Sequence, residues 1–305
     1  MENKEKPNVY QEVTRRIVMS LTQGDIPWRK PWNTPIQKGA FSYTTGKAYR
    51  GINRFLLNKP GEYLTFNQAK KLKGNIKKGE KGQYIVKYGI FIPAKDKKEA
   101  ERLESLGQST EHLKQIYIKY GYVFHIDQTE GIKSKVVQTE MKPSENPVGL
   151  ADSIIRQYHQ NTFVTIMETE QDFCAFDKEQ NTIIIPERKQ FQYEEDWYYQ
   201  VFREIAHSLL PPKEDKKKDE AKDELIIEMA ASMLMNTAEL ENKETEKNTT
   251  AKCQEWIRIL NNDYRIAISA AAQAEKIVRS ITEPLFGTDE PDDETDESSE
   301  EPADL

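Results

Sequence analysis

Apolar positions recur at helical spacing near the start of the chain. In residues 9–23, Tyr10, Val13, Ile17 and Leu21 fall on one face, since residues three or four apart share a side of a helix. Gly24, Pro27 and Pro31 in "QGDIPWRKPWN" then stop it. "EYLTFNQAKKLKG" predicts a short strand followed by a helix, with Thr65 or Asn67 as its cap. "GQYIVKYGIFIP" and "IYIKYGYVFHI" are rich in aromatic and β-branched residues and predict strands. The polar stretch between them, "AKDKKEAERLESLGQSTEHLKQ", is expected to be a surface excursion.

A linker is expected at "KPSENP", 142–147, and a helix near 148–160 with Leu150, Ile154, Ile155 and Tyr158 on its apolar face. "TFVTIME", "FCAFD" and "TIIIPE" predict strands. Helices are predicted over 195–210 and 223–240, separated by the charged loop "PPKEDKKKDEAKD". Residues 251–282 are helical with a break at Asn261-Asn262-Asp263. No internal repeat is present. The expected fold class is α+β, in two domains spanning 1–141 and 148–285. Residues 286–305 are expected to form a disordered acidic tail, because the final 18 residues hold ten acids and no base.

Composition narrows the setting. Of 305 residues, 31% are charged and 37% hydrophobic, and no apolar run approaches a membrane span. "MENKEKPNVYQEV" has no apolar segment after its charges, so no signal peptide is read. Cys174 and Cys253 make no metal-binding spacing and no disulfide framework. A cytoplasmic protein with no membrane partner is expected.

The net charge of −7 conceals two opposite halves. Residues 1–135 hold 26 Lys/Arg against 13 Asp/Glu, a net of +13, and the remainder 18 against 38, a net of −20. Within 26–95 there are 15 basic residues, two acids and eleven aromatics. Basic side chains track phosphates and aromatic faces stack unpaired bases, so this half is expected to bind single-stranded DNA. The candidates are Trp28, Arg29, Lys30 and Trp32 in "PWRKPW"; Lys47, Tyr49, Arg50 and Asn53 in "TGKAYRGIN"; and Lys70, Lys71, Lys77, Lys78 and Lys81 in "KKLKGNIKKGEKG". No P-loop, helix-turn-helix or zinc-finger spacing occurs. The acidic half and tail suggest a second kind of partner, basic host proteins.

"FREIAHSLL" departs by one residue from the HExxH of zinc peptidases. That motif places two histidines one turn apart on a helix face to bind zinc, with the glutamate as general base. Here Glu204 and His207 stand in the second and fifth positions, and Arg203 stands in the first. Arginine stays protonated and has no lone pair for a metal. His112, His125 and His159 are read as ordinary surface or core histidines.

Several blocks together resemble the ArdC-type antirestriction proteins, whose N-terminal domain also occurs in plasmid TraC-type primases. They are "VYQEVTRRIVMSLTQGDIPWRKPWN", "TTGKAYRGINRFLL", "YLTFNQAKKLKGNIKKGEKG" and "YVFHIDQTEGI". The zincin-like metallopeptidase domain that follows in that family is similar to "FDKEQNTIIIPERKQF", "YYQVFREIAHS", "DELIIEMAASML" and "WIRILNNDYRIAISAAAQAEKI". The resemblance runs from about residue 8 to 282. It implies single-stranded DNA binding on a mobile element, in the service of antirestriction. It also implies Glu204 as the base, and His207 with Glu224 or Glu228 as metal ligands, with Arg203 in place of the first histidine. The zincin domain is therefore expected to be degenerate, with no cofactor, Arg203 substituting electrostatically for the metal by pairing with Glu224 or Glu228. The rival expectation is an active DNA-associated metallopeptidase that holds zinc or another divalent metal in a modified ligand set.

Overall fold

The structure is a computed structural model describing residues 8–29, 39–57, 59–135, 146–211, 220–241 and 246–286. Lys30, Trp32, most of the expected linker and the acidic tail lie outside the described residues.

Helix α1 (Val9–Thr22) starts at a capping box in which the Asn8 side chain accepts from Gln11 N and the Gln11 side chain accepts from Asn8 N. Val13, Ile17 and Leu21 form its buried stripe, as the spacing requires. A 3-10 turn, Pro27–Arg29, follows. The N-terminal sheet has the order β1-β2-β5-β4, formed by β1 (Ala40–Ser42), β2 (Gly61–Leu64), β4 (Gln83–Phe91) and β5 (Gln115–His125). Strands β1 and β2 are parallel and the other pairs antiparallel. Helix α2 (Ile52–Leu56) lies between β1 and β2, and α3 (Phe66–Lys71), capped by Thr65, follows β2. Two short strands, β3 (Asn75–Ile76) and β6 (Thr129–Glu130), pair beside it.

The polar excursion between β4 and β5 contains a helix, α4 (Lys97–Ser105). "KKEAERLES" is rich in good helix formers, and Ala100 gives it one buried contact. Its low hydrophobicity hid it from a reading by apolar periodicity.

In the second half, α5 (Pro147–Thr162) begins at Pro147, whose fixed φ suits the first helical position. It claims the first residue of the strand expected at "TFVTIME", so β7 runs over Thr165–Thr169. β7 pairs in parallel with β9 (Thr182–Pro186), and β8 (Ala175–Asp177) pairs antiparallel on its other side. Helices α6 (Glu194–Ser208), α7 (Glu220–Thr237), α8 (Glu246–Asn262) and α9 (Ile266–Phe286) complete the α+β chain. The break between α8 and α9 falls at 263–265, just past the expected asparagines, which end α8, and takes in only Asp263 of the expected breaker.

The largest core joins the two ends of the sequence. Val13, Ile17 and Leu21 of α1, Trp28, and Ile52 and Phe55 of α2 share one buried cluster with Phe202, Leu234, Trp256 and Ala271. Helix α1 packs against α8 and α9, and Thr14 donates to the backbone oxygen of Tyr264 at 3.0 Å. A second cluster, Ala40, Leu57, Tyr63, Ile85 and Val123, lies within the N-terminal sheet.

Candidate functional site

Helix α6 carries the altered motif. Its first turn holds Glu194, Glu195 and Asp196 and its last turn His207, charges that complement the helix dipole. Trp197, Tyr198, Val201, Phe202 and Ile205 bury one side against the core. Tyr199 and Arg203, one turn apart, project together toward α7, where Glu224 and Glu228 are also one turn apart.

Arg203 reaches both glutamates. Its Nη1 donates to Glu228 Oε2 at 2.7 Å and its Nη2 donates to Glu224 Oε1. A second arginine comes from the 3-10 turn after α1. Arg29 Nε donates to Glu228 Oε1 at 2.7 Å, and its Nη2 lies 2.6 Å from the same oxygen. Arg29 Nη2 also donates to the Tyr199 hydroxyl at 3.0 Å. The two guanidinium groups thus hold opposite oxygens of one carboxylate that is 0% exposed.

The electrostatics follow from burial. Desolvation alone pushes the Glu228 carboxyl up, but Arg29 and Arg203 more than reverse it and hold it below the usual carboxylate range. Burial works against the charge on Arg203, and Tyr199, Glu224 and Glu228 outweigh it, so Arg203 remains a cation. Burial drives the Tyr199 hydroxyl far above the ordinary phenol range, so it stays protonated.

Near the end of α6, His207 is exposed and Glu204 beside it is largely covered. His207 Nδ1 is 3.2 Å from Glu204 Oε2, and that contact raises the imidazole above its ordinary range. The Phe176 ring meets His207 edge-on, with centroids 6.4 Å apart. Cys174, near Glu204 and Arg203, has its thiol pushed up to about 11 by burial and by Glu204.

This donor set does not fit a divalent metal. Arg203 has no lone pair, and both Glu228 oxygens accept from guanidinium groups. Glu224 accepts from Arg203, leaving His207 with Glu204 beside it. Among the described residues no three His, Cys, Asp or Glu side chains converge as a metal site. His112 is exposed, His125 is buried against Tyr63 and Pro60, and His159 bonds the Val164 backbone oxygen at 2.8 Å.

The nucleic-acid candidates separate into two groups. Trp28 is 1% exposed and packs edge-on against Trp256 and Phe55, with centroids 5.1 and 6.0 Å away. Expected to stack on bases, it instead fills the core, because its large apolar ring packs beside Trp256 and Phe55 in the main cluster. Arg29, expected on phosphate, is committed to Glu228. Asn53 is buried, and its side chain bonds both the N–H and the C=O of Val86 at 2.8 Å. Those three leave the surface set.

Lys70, Lys71, Lys77, Lys78 and Lys81 are exposed, at the end of α3 and in the turn before β4. Lys70 sits 4.6 Å over the ring of Phe66, itself 46% exposed, so a cation and an aromatic face share that surface. Lys77 Nζ donates to the Asp127 backbone oxygen at 2.7 Å. Lys47, Tyr49 and Arg50 are half-buried, and Tyr49 meets Tyr63 edge-on. Among the described residues no helix is long and apolar enough to cross a membrane.

With its second half built as a zincin-like α+β unit, the chain falls into a defined class. The family model of the zincin-like metallopeptidases matches residues 153–273, and that of the N-terminal domain of anti-restriction factor ArdC matches residues 7–124. In both halves, and in that order, the chain thus resembles the ArdC-type antirestriction proteins. The Mn(II)-bound crystal structure of antirestriction ArdC from plasmid R388 aligns with a TM-score of 0.68 and 25% identity, covering 93% of this chain and 100% of that one. The metal-free structure of the same protein aligns with a TM-score of 0.68 and 26% identity, over 91% and 97%. A DNA primase TraC of Escherichia coli is 29% identical over 300 residues, 90% of this chain and 20% of the primase. The chain thus spans about a fifth of the length of that curated relative. An uncharacterized protein, y4eC, of Sinorhizobium fredii (strain NBRC 101917 / NGR234) is 21% identical over 308 residues, 88% of this chain and 90% of its own.

Proposed function

We propose that the chain is a single-stranded DNA-binding antirestriction protein of a mobile genetic element, acting in the cytoplasm. Its unit over 1–141 supplies the DNA contact, and its zincin-like unit over 148–285 is a scaffold whose first ligand histidine is replaced by Arg203. The observation that carries the second clause is the Arg203 guanidinium lodged between Glu224 and Glu228. A positive charge fixed there compensates the buried carboxylate that a metal would otherwise balance. The DNA clause is supported by the exposed lysines of 70–81 and by the ArdC-type N-terminal match.

The test has two arms on tag-free protein. Elemental mass spectrometry is expected to find no stoichiometric metal. Titration with oligothymidylate is expected to give an affinity that falls steeply with salt, as phosphate contacts release counterions. A flat salt response counts against DNA binding, and one bound metal per chain counts against the scaffold reading.

A second reading is a metallopeptidase with a modified ligand set, acting near DNA. It is favoured by the retained Glu204–His207 contact and by the Mn(II)-bound state of the R388 relative. Metal-dependent cleavage that disappears in Glu204→Gln would bring it forward.

A further inference from the structure

Strands β4 and β5 form a two-stranded ribbon, and neither contains an acidic residue. Residues directly opposite in an antiparallel pair share a face. One face carries Tyr84 and Tyr122 and, next along, Tyr120; it is turned toward α1, where Arg16 lies 4.7 Å over the Tyr84 ring. The other face, beyond the buried Ile85, carries Lys87 opposite Lys119, Gly89 opposite Tyr117, and Phe91.

The lysine pair is the informative feature. Like charges directly opposite in a sheet are destabilising, and here they sit with Cβ atoms about 5 Å apart. Among the described residues neither lysine has a carboxylate partner. Their side chains diverge. Lys87 lies across Gly121, where an added Cβ would meet its Cε at 3.0 Å, and Lys119 leans 4.7 Å over the Tyr117 ring. Tyr117 in turn lies flat across Gly89, where a Cβ would come within 2.2 Å of the ring. Phe91, 43% exposed, meets Tyr117 edge-on at 5.7 Å. The two glycines therefore let a ring and an aliphatic stem lie down on the strand, and leave two unneutralised cations beside an aromatic floor.

We infer that this face of the β4–β5 ribbon is a contact for single-stranded DNA, with a phosphate bridging Lys87 and Lys119 and a base stacking on the exposed ring of Phe91. The inference rests on the DNA-binding reading above and assigns it a place away from the lysines of 70–81. The charge pattern selects the occupant. A polyanion relieves the repulsion between the opposed lysines, and a base covers the exposed Phe91 ring, which a purely acidic peptide would leave in water.

The experiment compares full-length wild type, the double variant Lys87→Gln/Lys119→Gln, and Phe91→Ser, by anisotropy of labelled oligothymidylate across a salt series, with melting curves for each. Removing opposed like charges leaves the fold at least as stable, so misfolding does not confound the result. The double variant is expected to lose about tenfold in affinity and to lower the salt slope by about 0.7, the value for one phosphate contact on a single strand. Phe91→Ser is expected to lose about fivefold or more with the slope unchanged. If wild type binds and the variants match it in affinity and slope, the ribbon assignment is wrong while DNA binding stands. If wild type does not bind at low salt, the DNA-binding reading itself falls, and this inference with it.

Discussion

Arg29 and Glu228 are 199 residues apart in sequence, yet Arg29 Nε donates to Glu228 Oε1 at 2.7 Å inside the main core. Arg203 holds the other oxygen of the same carboxylate. A buried carboxylate clasped by two guanidinium groups loses its balance when any one member is removed, and the three removals are not equal. Glu228→Ala strips Arg29 of its carboxylate and leaves Arg203 with Glu224 alone, and is expected to cost about 3–5 kcal/mol. Arg203→Ala leaves Arg29 in place and is expected to cost less while still lowering the denaturant midpoint. Equal stability of Arg203→Ala and wild type would remove the electrostatic role assigned to Arg203.

The same clasp sets a dependence on acid. The Glu228 carboxyl is held below its unfolded value, so its contribution is full above the ordinary carboxylate range and is lost as pH falls through the lower folded value. Wild type is expected to lose stability more steeply than Glu228→Gln between pH 5 and 3, measured by urea melts at each pH; parallel curves would contradict it.

Arg203→His is expected to convert the site. It would restore two imidazoles one turn apart on α6 and free Glu224, which accepts from Arg203. After incubation with zinc or manganese and dialysis, the variant should retain about one metal per chain and wild type much less. Retention by both would return the peptidase reading.

His207 titrates above its ordinary range because it bonds Glu204. Its contribution is therefore present below the unfolded value near 6.5 and is lost as pH rises through the raised folded value. In NMR titration, Glu204→Gln should bring the His207 midpoint down. An unchanged midpoint would show that the contact is not made in solution.

Trp28→Ala and Asn53→Ala are expected to act on folding rather than on DNA. The first empties a core site at a cost of about 3–5 kcal/mol. The second leaves both polar groups of Val86 without their partner, at about 2–4 kcal/mol. Under conditions where both variants remain folded, oligothymidylate affinity should match wild type.

Much of this is legible in the sequence. The α1 stripe, the split between α8 and α9 and the long strands follow from apolar spacing and breakers, which are local properties. Arg203 and Glu224/Glu228 were legible because each helix displays its functional residues one turn apart, and a cation opposite two acids suggests a pair. Arg29 was not. "PWRKPW" carries the composition of a nucleic-acid surface, and only the packing of α1 against α8 and α9 turns Trp28 and Arg29 inward. Composition reports what a segment can touch, while topology decides which way it faces. Asn53 failed for a related reason. A polar residue in a basic stretch looks exposed until the strand whose backbone it completes is known.

The docking of α1 on α8 and α9 has a consequence for synthesis. Helix α1 buries Val13, Ile17 and Leu21 against α8 and α9, helices that leave the ribosome only after all the intervening elements have been made. Its apolar stripe therefore waits, while the intervening elements are synthesised, for the surface that covers it. The nascent basic half meets that interval with a strong surplus of like charge, which keeps waiting chains apart and discourages premature collapse.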